Sequence, residues 1–264
     1  MASTSSRQRW PGRFFVDVGR ALYIGPAFDT SLHAHHAIQV CVGLNGSFRL
    51  RCRTRTPWKR YAGVVIGADQ PHELAAGGQP VALLYVEPEG DDGRVLGPAR
   101  SGVPAGRLPQ SLVISLRAAI GQRAATNLDA AEATRLFGDV MERLGLMAGV
   151  RAPLDPRVAA ALRMVRSARG VYASSADLAR AVGLSVGRFR HLFAGEIGMS
   201  YRRYILWLRL YAVLDELLRG ASLTTAAHAA GFADSAHLTR TFRRMFGIVP
   251  SAVPEVMRLL PAAR

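Results

Sequence analysis

Residues 231–251, GFADSAHLTRTFRRMFGIVPS, contain a glycine turn, a basic helical segment and a Gly-x-x-Pro stop. The apolar residues of this segment recur at helical spacing: Leu238, Phe242, Met245 and Phe246. Asp234 or Ser235 can cap the start of a helix, and Gly247 stands where a helix needs a left-handed residue to end. The pattern predicts a short helix with one buried apolar face and one exposed basic face.

The same arrangement occurs twice. Residues 223–230 form a short helical pattern of small apolar residues that ends in a glycine turn before the basic helix. Earlier in the chain, residues 175–183 form a capped short helix ending in glycine, and residues 185–198 form a second helix with basic residues outward. Residues 201–218 between the two units are the longest helical pattern in the chain. The sequence therefore predicts two helix-turn-helix units joined by a stiff helix.

These segments resemble the DNA-binding domain of the AraC/XylS family of bacterial transcription regulators. The resemblance covers LARAVGLSVGRFRHLF at residues 178–193, GMSYRRY at residues 198–204, Arg209, and residues 231–251. It implies a sequence-specific regulator that places its two helix-turn-helix units in successive major-groove segments on one face of double-stranded DNA. RNA polymerase is a further possible partner of such a regulator.

Two sets of candidate DNA contacts follow from position within the resemblance. Residues expected to face base edges are Gly187, Arg190, His191, Ser235, His237, Thr239 and Arg240. Residues expected to contact phosphates are Arg188, Arg203, Arg243 and Arg244. The alternative for each is an ordinary solvated helix face, and Arg190 or Arg240 can grip a phosphate instead of a base.

Charge agrees with a nucleic-acid partner. The chain has 264 residues and a formal net charge of +15. Residues 155–264 hold 16 Arg against 7 Asp and Glu, so the region with the helix-turn-helix patterns is the more densely basic. Such a chain binds polyanions, although charge alone would also suit an anionic membrane surface. No apolar run is long enough to span a membrane, and we expect a cytoplasmic protein with no membrane partner.

The N-terminal part consists of short apolar segments separated by Gly, Pro and Asn-Gly, which is an all-β pattern. Asn45 and Gly46 predict a type I′ hairpin turn, which would pair Cys41 with Leu50 and Gln39 with Cys52. One face of this hairpin would then be interior, while Arg49, Arg51 and Arg53 would face outward.

Histidines precede the first strand of that hairpin. His33-x-His35-x-x-x-Gln39, followed by Pro71-His72 after a further strand, is similar to the two-part motif of the cupin barrel, which serves as the sensor domain in some AraC-type regulators. The resemblance implies an effector pocket formed by His33, His35, Gln39, Cys41, Cys52 and His72. It also allows one divalent transition metal on His33, His35, Gln39 and His72. The alternatives are a metal-free small-molecule pocket, and cysteines that only fill the core.

Helical periodicity returns at residues 112–120 and 128–147. The second segment has a wide apolar stripe: Ala133, Leu136, Phe137, Val140, Met141, Leu144 and Met147. The stripe can pack on the barrel, on a second copy of the chain, or on both, and the resemblance favours a homodimer. Residues 148–156, with Gly149 and two prolines, read as a linker.

The resulting prediction is an α+β protein of two domains: an N-terminal cupin-like β-barrel with a helical extension, and a C-terminal all-α domain with two helix-turn-helix units joined by a long helix. The expected boundaries are 1–110 for the effector-binding barrel, 111–149 for the helical dimerisation segment, 150–156 for the linker and 157–264 for the DNA-binding domain. The predicted function is a transcription regulator, not an enzyme, controlled by a small molecule or metal in the barrel. The alternatives are a metal-dependent cupin enzyme fused to a DNA-binding module, and a constitutive DNA-binding protein.

Overall fold

The computed structural model describes residues 12–17, 19–96, 105–124, 128–145, 153–167 and 173–259. The strands are β1 Gly12–Asp17, β2 Arg20–Pro26, β3 Ile38–Gly43, β4 Phe48–Arg51, β5 Lys59–Tyr61, β6 Gly63–Ile66, β7 Glu73–Ala75, β8 Pro80–Val86, β9 Ala105–Arg107 and β10 Met257–Leu259. The helices are α1 Asp91–Val95, α2 Gln110–Ala124, α3 Ala130–Gly145, α4 Pro156–Ser167, α5 Ser175–Ala181, α6 Val186–Ile197, α7 Tyr201–Leu218, α8 Leu223–Ala229, α9 Ser235–Phe246 and α10 Val253–Val256, with a 3-10 turn at Pro250–Ala252.

The strands form two sheets. The larger has the order β10-β1-β2-β8-β3-β6-β9, and the smaller has the order β5-β4-β7. Every pairing is antiparallel except the parallel pairing of β10 with β1. Inward side chains of the two sheets share one core, in which Cys41 and Leu83 of the large sheet join Leu50 and Leu74 of the small one. The α+β prediction, with N-terminal antiparallel sheets before a helical C-terminal domain, is confirmed. We call residues 12–145 the sheet domain and residues 153–256 the helical domain.

The predicted β3–β4 hairpin is wrong. β3 pairs with β6 and β8, whereas β4 pairs with β5 and β7, so the chain passes from one sheet to the other at Asn45 and Gly46. A type I′ turn needs positive φ at both central residues, and neither residue has it. Arg117 of α2 holds the crossing, because its guanidinium donates to the carbonyl oxygens of Gly43 at 2.7 Å and Gly46 at 2.5 Å.

The predicted interior and exterior residues of β3 and β4 are correct even though the two strands pair with other strands and not with each other. Cys41, Phe48 and Leu50 are at most 2% exposed and belong to the same core, with Cys52 packed at its edge. Arg49 and Arg53 are exposed and Arg51 is half-buried. The alternation along each strand is a local property, so it is preserved whichever strand lies alongside.

The second face of the large sheet is covered by α2 and α3. The stripe of α3 is buried within this single chain, where Leu136, Phe137 and Val140 pack with Leu22 and Leu84 of the sheet. Residue Met147 and most of the expected linker, residues 148–152, lie outside the described residues. The stripe therefore completes the core of its own domain and is not left exposed for a second subunit.

Helices α6, α7 and α9 begin and end at the residues that the sequence indicates. Ser185 accepts a hydrogen bond from the Arg188 amide at the start of α6, and Asp234 accepts one from the His237 amide at the start of α9. Gly198 and Gly247 end these two helices in the left-handed conformation, with φ of 83° and 71°. Helix α7 is continuous over Tyr201–Leu218, as predicted. The sequence does not indicate that the chain then returns to the large sheet and adds β10 to the edge of β1.

We expect Arg117→Ala to destabilise the sheet domain by about 2–4 kcal/mol, because two carbonyl groups at the sheet crossing lose a charged donor. Urea unfolding measures this change, and Gln122→Ala on the exposed side of the same helix serves as the matched control. An Arg117→Ala variant as stable as that control would contradict the assigned role of Arg117.

Candidate functional site: two reader helices and an interdomain cavity

Helices α6 and α9 carry the predicted DNA contacts. Both are amphipathic: Phe189 and Phe193 of α6 and Leu238 and Phe242 of α9 are at most 1% exposed and fix each helix on the core of the helical domain. The candidates on the opposite faces are all exposed or half-buried: Gly187, Arg188, Arg190, His191, Ser235, His237, Thr239, Arg240, Arg243 and Arg244. Each helix thus presents a basic polar surface to solvent.

Several candidates also have partners within the chain. The guanidinium of Arg190 donates to the Ser175 hydroxyl at 3.1 and 3.2 Å, which orients it along the first helix-turn-helix unit. The Thr239 hydroxyl donates to the Ser235 carbonyl at 2.7 Å, so towards DNA it acts as a hydrogen-bond acceptor. Arg203, at the start of α7, donates to the Asp69 carboxylate of the sheet domain at 3.2 Å.

The C-terminal end of α9 is fastened to the sheet domain. The Gly247 carbonyl accepts hydrogen bonds from the Ser31 amide at 2.9 Å and from the Ser31 hydroxyl at 3.0 Å. A Cβ on residue 247 would lie 2.6 Å from both the Ser31 carbonyl oxygen and His33 Nδ1, so glycine is required by closeness as well as by φ. The segment that orients α9 is therefore the one that carries the predicted histidines.

A cavity of about 50 Å³ lies between the domains. Its sheet-domain wall contains Phe14, Ala21, Phe28, Thr30, His33, Gln39, His72, Leu74, Leu83 and Tyr85. Its helical-domain wall contains Tyr211, Leu214, Phe242, Phe246, Ile248 and Val253. Most of this lining is apolar, and its hydrogen-bonding side chains are those of Thr30, His33, Gln39, His72 and the two tyrosines, Tyr85 and Tyr211. The space suits an apolar group with one polar end.

The structure brings five of the six predicted pocket residues together. His33, Gln39 and His72 line the cavity, and His35 and Cys41 contact Gln39 directly behind it. Burial is the main cause that lowers the pKa of each of these histidines, to about 3 for His33, so all three imidazoles are neutral near pH 7. Cys52 is not among the residues that line the cavity and is instead partly buried against the core that the two sheets share.

A buried charged cluster joins the domains beside the cavity. Arg166 of α4 contacts the carboxylates of Glu87 and Glu89, and Trp207 Nε1 of α7 donates to Glu87 at 3.0 Å. Glu89 also contacts His36 at 3.0 Å. Burial, and after it the neighbouring Glu89 carboxylate, raises the pKa of Glu87 to about 7. Helices α4 and α7 are thus attached to the sheet domain through two acidic groups that are almost fully buried.

No pattern in the sequence indicates these interface residues. Glu87 and Glu89 flank a proline directly after a buried strand, and Trp207 interrupts the aliphatic pattern of α7, but neither feature indicates a partner in the other domain. Phe242 and Phe246 were expected only as helix core, yet their rings line the cavity. These residues become part of a site only because the two domains pack against each other.

Comparison with known proteins agrees with this architecture. Residues 178–255 match the helix-turn-helix domain family. The fold is similar to that of apo ToxT from Vibrio cholerae, with a TM-score of 0.62 at 11% identity over 92% of this chain and 99% of ToxT. Fatty-acid-bound ToxT from the same species gives a TM-score of 0.53 at 14% identity over 98% of this chain and 100% of that one. An AraC-type regulator from Chromobacterium violaceum matches at 27% identity over 38% of this chain and 90% of its own, with a TM-score of 0.36.

Among curated protein sequences, none matches this chain significantly. Within the described residues, no helix combines the length and the apolar character needed to cross a membrane.

The raised pKa of Glu87 predicts a pH-dependent interface. In the folded protein the Glu87 carboxyl stays protonated to higher pH than in the unfolded chain, where its pKa has the ordinary value of 4.5. The stabilisation is therefore complete below pH 4.5 and is lost as the pH rises to about 7. Glu87→Gln imitates the protonated form, so we expect its melting temperature to rise relative to wild type between pH 5 and pH 8.

Thermal unfolding followed by circular dichroism tests this prediction. Glu142→Gln, which changes an exposed carboxylate on α3, is the control and should follow wild type at every pH. The contrary result would be a Glu87→Gln variant that is less stable than wild type by the same amount at pH 5 and pH 8, or by more at pH 8. That result would show that the ionised carboxylate is the stabilising form.

Proposed function

We propose that this chain, whose C-terminal part is an AraC-type helix-turn-helix domain, is a DNA-binding transcription regulator controlled by a small apolar molecule bound between its domains. The observation that carries the proposal is the shared cavity. Its walls come from the sheet domain and from α9, the helix predicted to read DNA, so a molecule in the cavity touches both. A ligand can change DNA binding only if it favours one arrangement of the domains over another, and contact with both supplies that difference.

On DNA, Arg190 and Arg240 are proposed to read base edges, because a guanidinium offers two parallel donors that match guanine in the major groove. Arg188, Arg243 and Arg244 are proposed to hold phosphates and to supply salt-dependent affinity. Arg203 contacts Asp69 of the sheet domain through Nη2, so a phosphate would compete with that carboxylate for the guanidinium. Its release would then accompany a change in how the domains meet.

The volume of the cavity suggests how the effector acts. About 50 Å³ accommodates only a few water molecules, far less than a ligand that fills a typical binding pocket of roughly 300 Å³ or more. A larger effector must push Phe242 and Phe246 away from the sheet domain, which moves α9. Among the described residues that line the cavity there is no Lys or Arg, so the lining offers uncharged hydrogen-bonding partners such as Thr30, His33 and Gln39.

The comparison with ToxT supports an apolar effector. ToxT has been crystallised with an unsaturated fatty acid and with a naphthalenyl butenoic acid, both of which combine a large apolar part with one polar end. The lining of the cavity in this chain has the same division. We therefore propose a long-chain or aromatic molecule with one polar group as the effector class.

Homodimerisation and contact with RNA polymerase are proposed from the family resemblance alone. The α3 stripe expected to form the dimer is buried against the sheet, so a dimer would need another surface of the chain.

The DNA prediction separates base readout from phosphate contact. Arg240→Ala should weaken binding to a selected site by about 1–3 kcal/mol and relax the preference at one position, because the arginine no longer pairs with a base. Arg244→Ala should weaken binding to all sequences similarly and reduce the salt dependence. Sequence selection from a random DNA pool, followed by titrations at several salt concentrations, measures both effects.

Arg13→Ala, in the first strand of the sheet domain, is the matched arginine control and should leave site preference unchanged. Uniform weakening by Arg240→Ala across all sequences would identify it as a phosphate contact. Absence of any sequence preference in wild type would refute the proposed function.

The effector prediction uses an unsaturated fatty acid as the probe. We expect the probe to change the affinity of wild type for its DNA site by about threefold or more, whereas Ala21→Leu should not respond because the larger side chain fills the cavity. Ala82→Leu, on the opposite face of the same sheet, overpacks the chain equally and should keep the response. An equal response in Ala21→Leu and wild type would place the effector elsewhere.

A further inference from the structure

The small sheet carries a strongly basic surface. Residues 48–61, which form β4, β5 and the loop between them, contain six cationic residues and no acidic one. The six are Arg49, Arg51, Arg53, Arg55, Lys59 and Arg60, and all except the half-buried Arg51 are exposed. We call these six residues, together with Trp58, the basic patch. Neither the core of the sheet domain nor the helix-turn-helix units account for this surface.

Most of this charge is not neutralised within the chain. Glu73 of β7 lies opposite Arg51 and contacts it at 2.6 Å. In the part of the chain that the structure describes, the other five cationic residues have no carboxylate within ion-pair distance. Arg49 and Arg60 occupy directly opposed positions of β4 and β5. Like charges at opposed positions destabilise a sheet, and an anion bound between the two guanidiniums would remove the repulsion.

Trp58 restrains two of the guanidiniums. Cζ of Arg51 lies 4.6 Å and Cζ of Arg49 lies 5.6 Å from the centroid of the Trp58 ring. A guanidinium held over an aromatic ring is attracted by the ring and still donates hydrogen bonds through its N–H groups. Phosphate oxygens accept such hydrogen bonds from arginine in pairs. Because the ring limits the positions of the two side chains, less conformational entropy is lost when they bind a phosphate.

A short series of hydrogen bonds connects the basic patch to the end of α9. Ser31 donates to the Gly247 carbonyl, and the neighbouring Thr30 amide donates to the Leu74 carbonyl of β7 at 2.9 Å. β7 pairs with β4, and β4 with β5. Since neighbouring strands are about 4.8 Å apart, β4 lies within roughly 15 Å of the Gly247 carbonyl, a distance of about four to five base pairs of DNA. A duplex that holds α9 therefore passes close to the patch.

We propose that the basic patch binds the phosphate backbone of the duplex that α6 and α9 read, outside the sequence that these helices recognise. This inference rests on the proposed function, because it requires α9 to lie on DNA. Arg49 and Arg60 hold one phosphate between them, and the exposed Arg53, Arg55 and Lys59 contact its neighbours. Phosphate contacts carry no sequence information. The patch therefore raises the affinity and fixes the position of the sheet domain on the duplex without changing the preferred site.

Two other polyanions fit the charge of the patch less well. A protein that lies on an anionic membrane inserts exposed apolar side chains between the headgroups. Trp58 is half-buried, and two guanidiniums lie over its ring. The same covering removes the aromatic surface on which the bases of a single strand would stack. The phosphates of a duplex need only the exposed cationic groups, so duplex DNA is the favoured partner.

The test measures how the affinity of the full chain depends on the length of DNA around a site selected from a random pool. Two duplexes carry the same site, one with short ends and one extended on each side by about fifteen base pairs, roughly one and a half turns. We expect wild type to bind the long duplex about tenfold more tightly at low salt, with a log–log salt slope steeper by about two, because further phosphates are neutralised. The double variant Arg49→Gln, Arg60→Gln should lose both differences.

Two further double variants serve as controls. Arg94→Gln, Arg135→Gln removes the same charge from α1 and α3, outside the patch, and should bind both duplexes like wild type. Arg49→Lys, Arg60→Lys keeps the charge of the patch and should keep most of the gain in affinity, which separates loss of charge from a folding defect. Hydroxyl-radical footprinting should show protection of the backbone outside the selected site in wild type and not in Arg49→Gln, Arg60→Gln.

Equal affinity of wild type for the short and long duplexes, or a gain that persists in Arg49→Gln, Arg60→Gln, would overturn the proposal. Selective binding of the short duplex would then leave the proposed function intact. A wild type without any sequence preference would instead refute the proposed function, whatever the effect of DNA length. Binding to phosphatidylglycerol vesicles that depends on Arg49 and Arg60, with no effect of DNA length, would assign the patch to a membrane and also overturn the proposal.

Discussion

The carbonyl oxygen of Gly247 connects the two halves of the molecule. The last carbonyls of a helix have no partner within the helix and normally face water. Here the carbonyl of Gly247, the residue that ends α9, accepts from the amide and the hydroxyl of Ser31, a residue of the other domain. A helix that enters the major groove must keep a fixed orientation. If α9 is such a helix, as proposed, its orientation depends on the loop that holds His33.

The rest of the interface consists of groups that are costly to bury. Glu87 and Glu89 are ionisable and at most 3% exposed, three imidazoles lie in contact, and a cavity remains between Phe242 and the sheet. Buried charges and cavities each reduce the stability of a packed core. Across such an interface, a bound molecule would need only a modest difference in affinity between two arrangements to change how the domains meet. The continuous helix α7 contacts Glu87 through Trp207 and also joins the two helix-turn-helix units, so it would carry such a change between them.

The success of prediction differs between the domains for a physical reason. In the helical domain the caps at Ser185 and Asp234, the glycine stops and the apolar spacing act within one or two turns, so the local sequence is sufficient to place the helices. In the sheet domain the choice of strand partner depends on distant residues. Asn45-Gly46 indicated a hairpin, but Arg117, which lies in a helix later in the chain, fixes these residues in a crossing between two sheets. The preference of Asn-Gly for a hairpin turn stabilises the chain less than the two hydrogen bonds from the charged Arg117 guanidinium.

The sequence by itself determined the helix-turn-helix units, the faces of their basic helices and the inward faces of β3 and β4, because each is encoded by spacing over a few residues. It also identified His33, His35, Gln39 and His72 as a group before any strand order was known. Only the tertiary structure decided that this group lies against the end of α9, that Arg166 and Trp207 reach Glu87, and that the α3 stripe is covered by its own sheet. Those outcomes depend on how the two domains pack against each other. Such packing is set by contacts between residues far apart in the sequence, which no local pattern indicates.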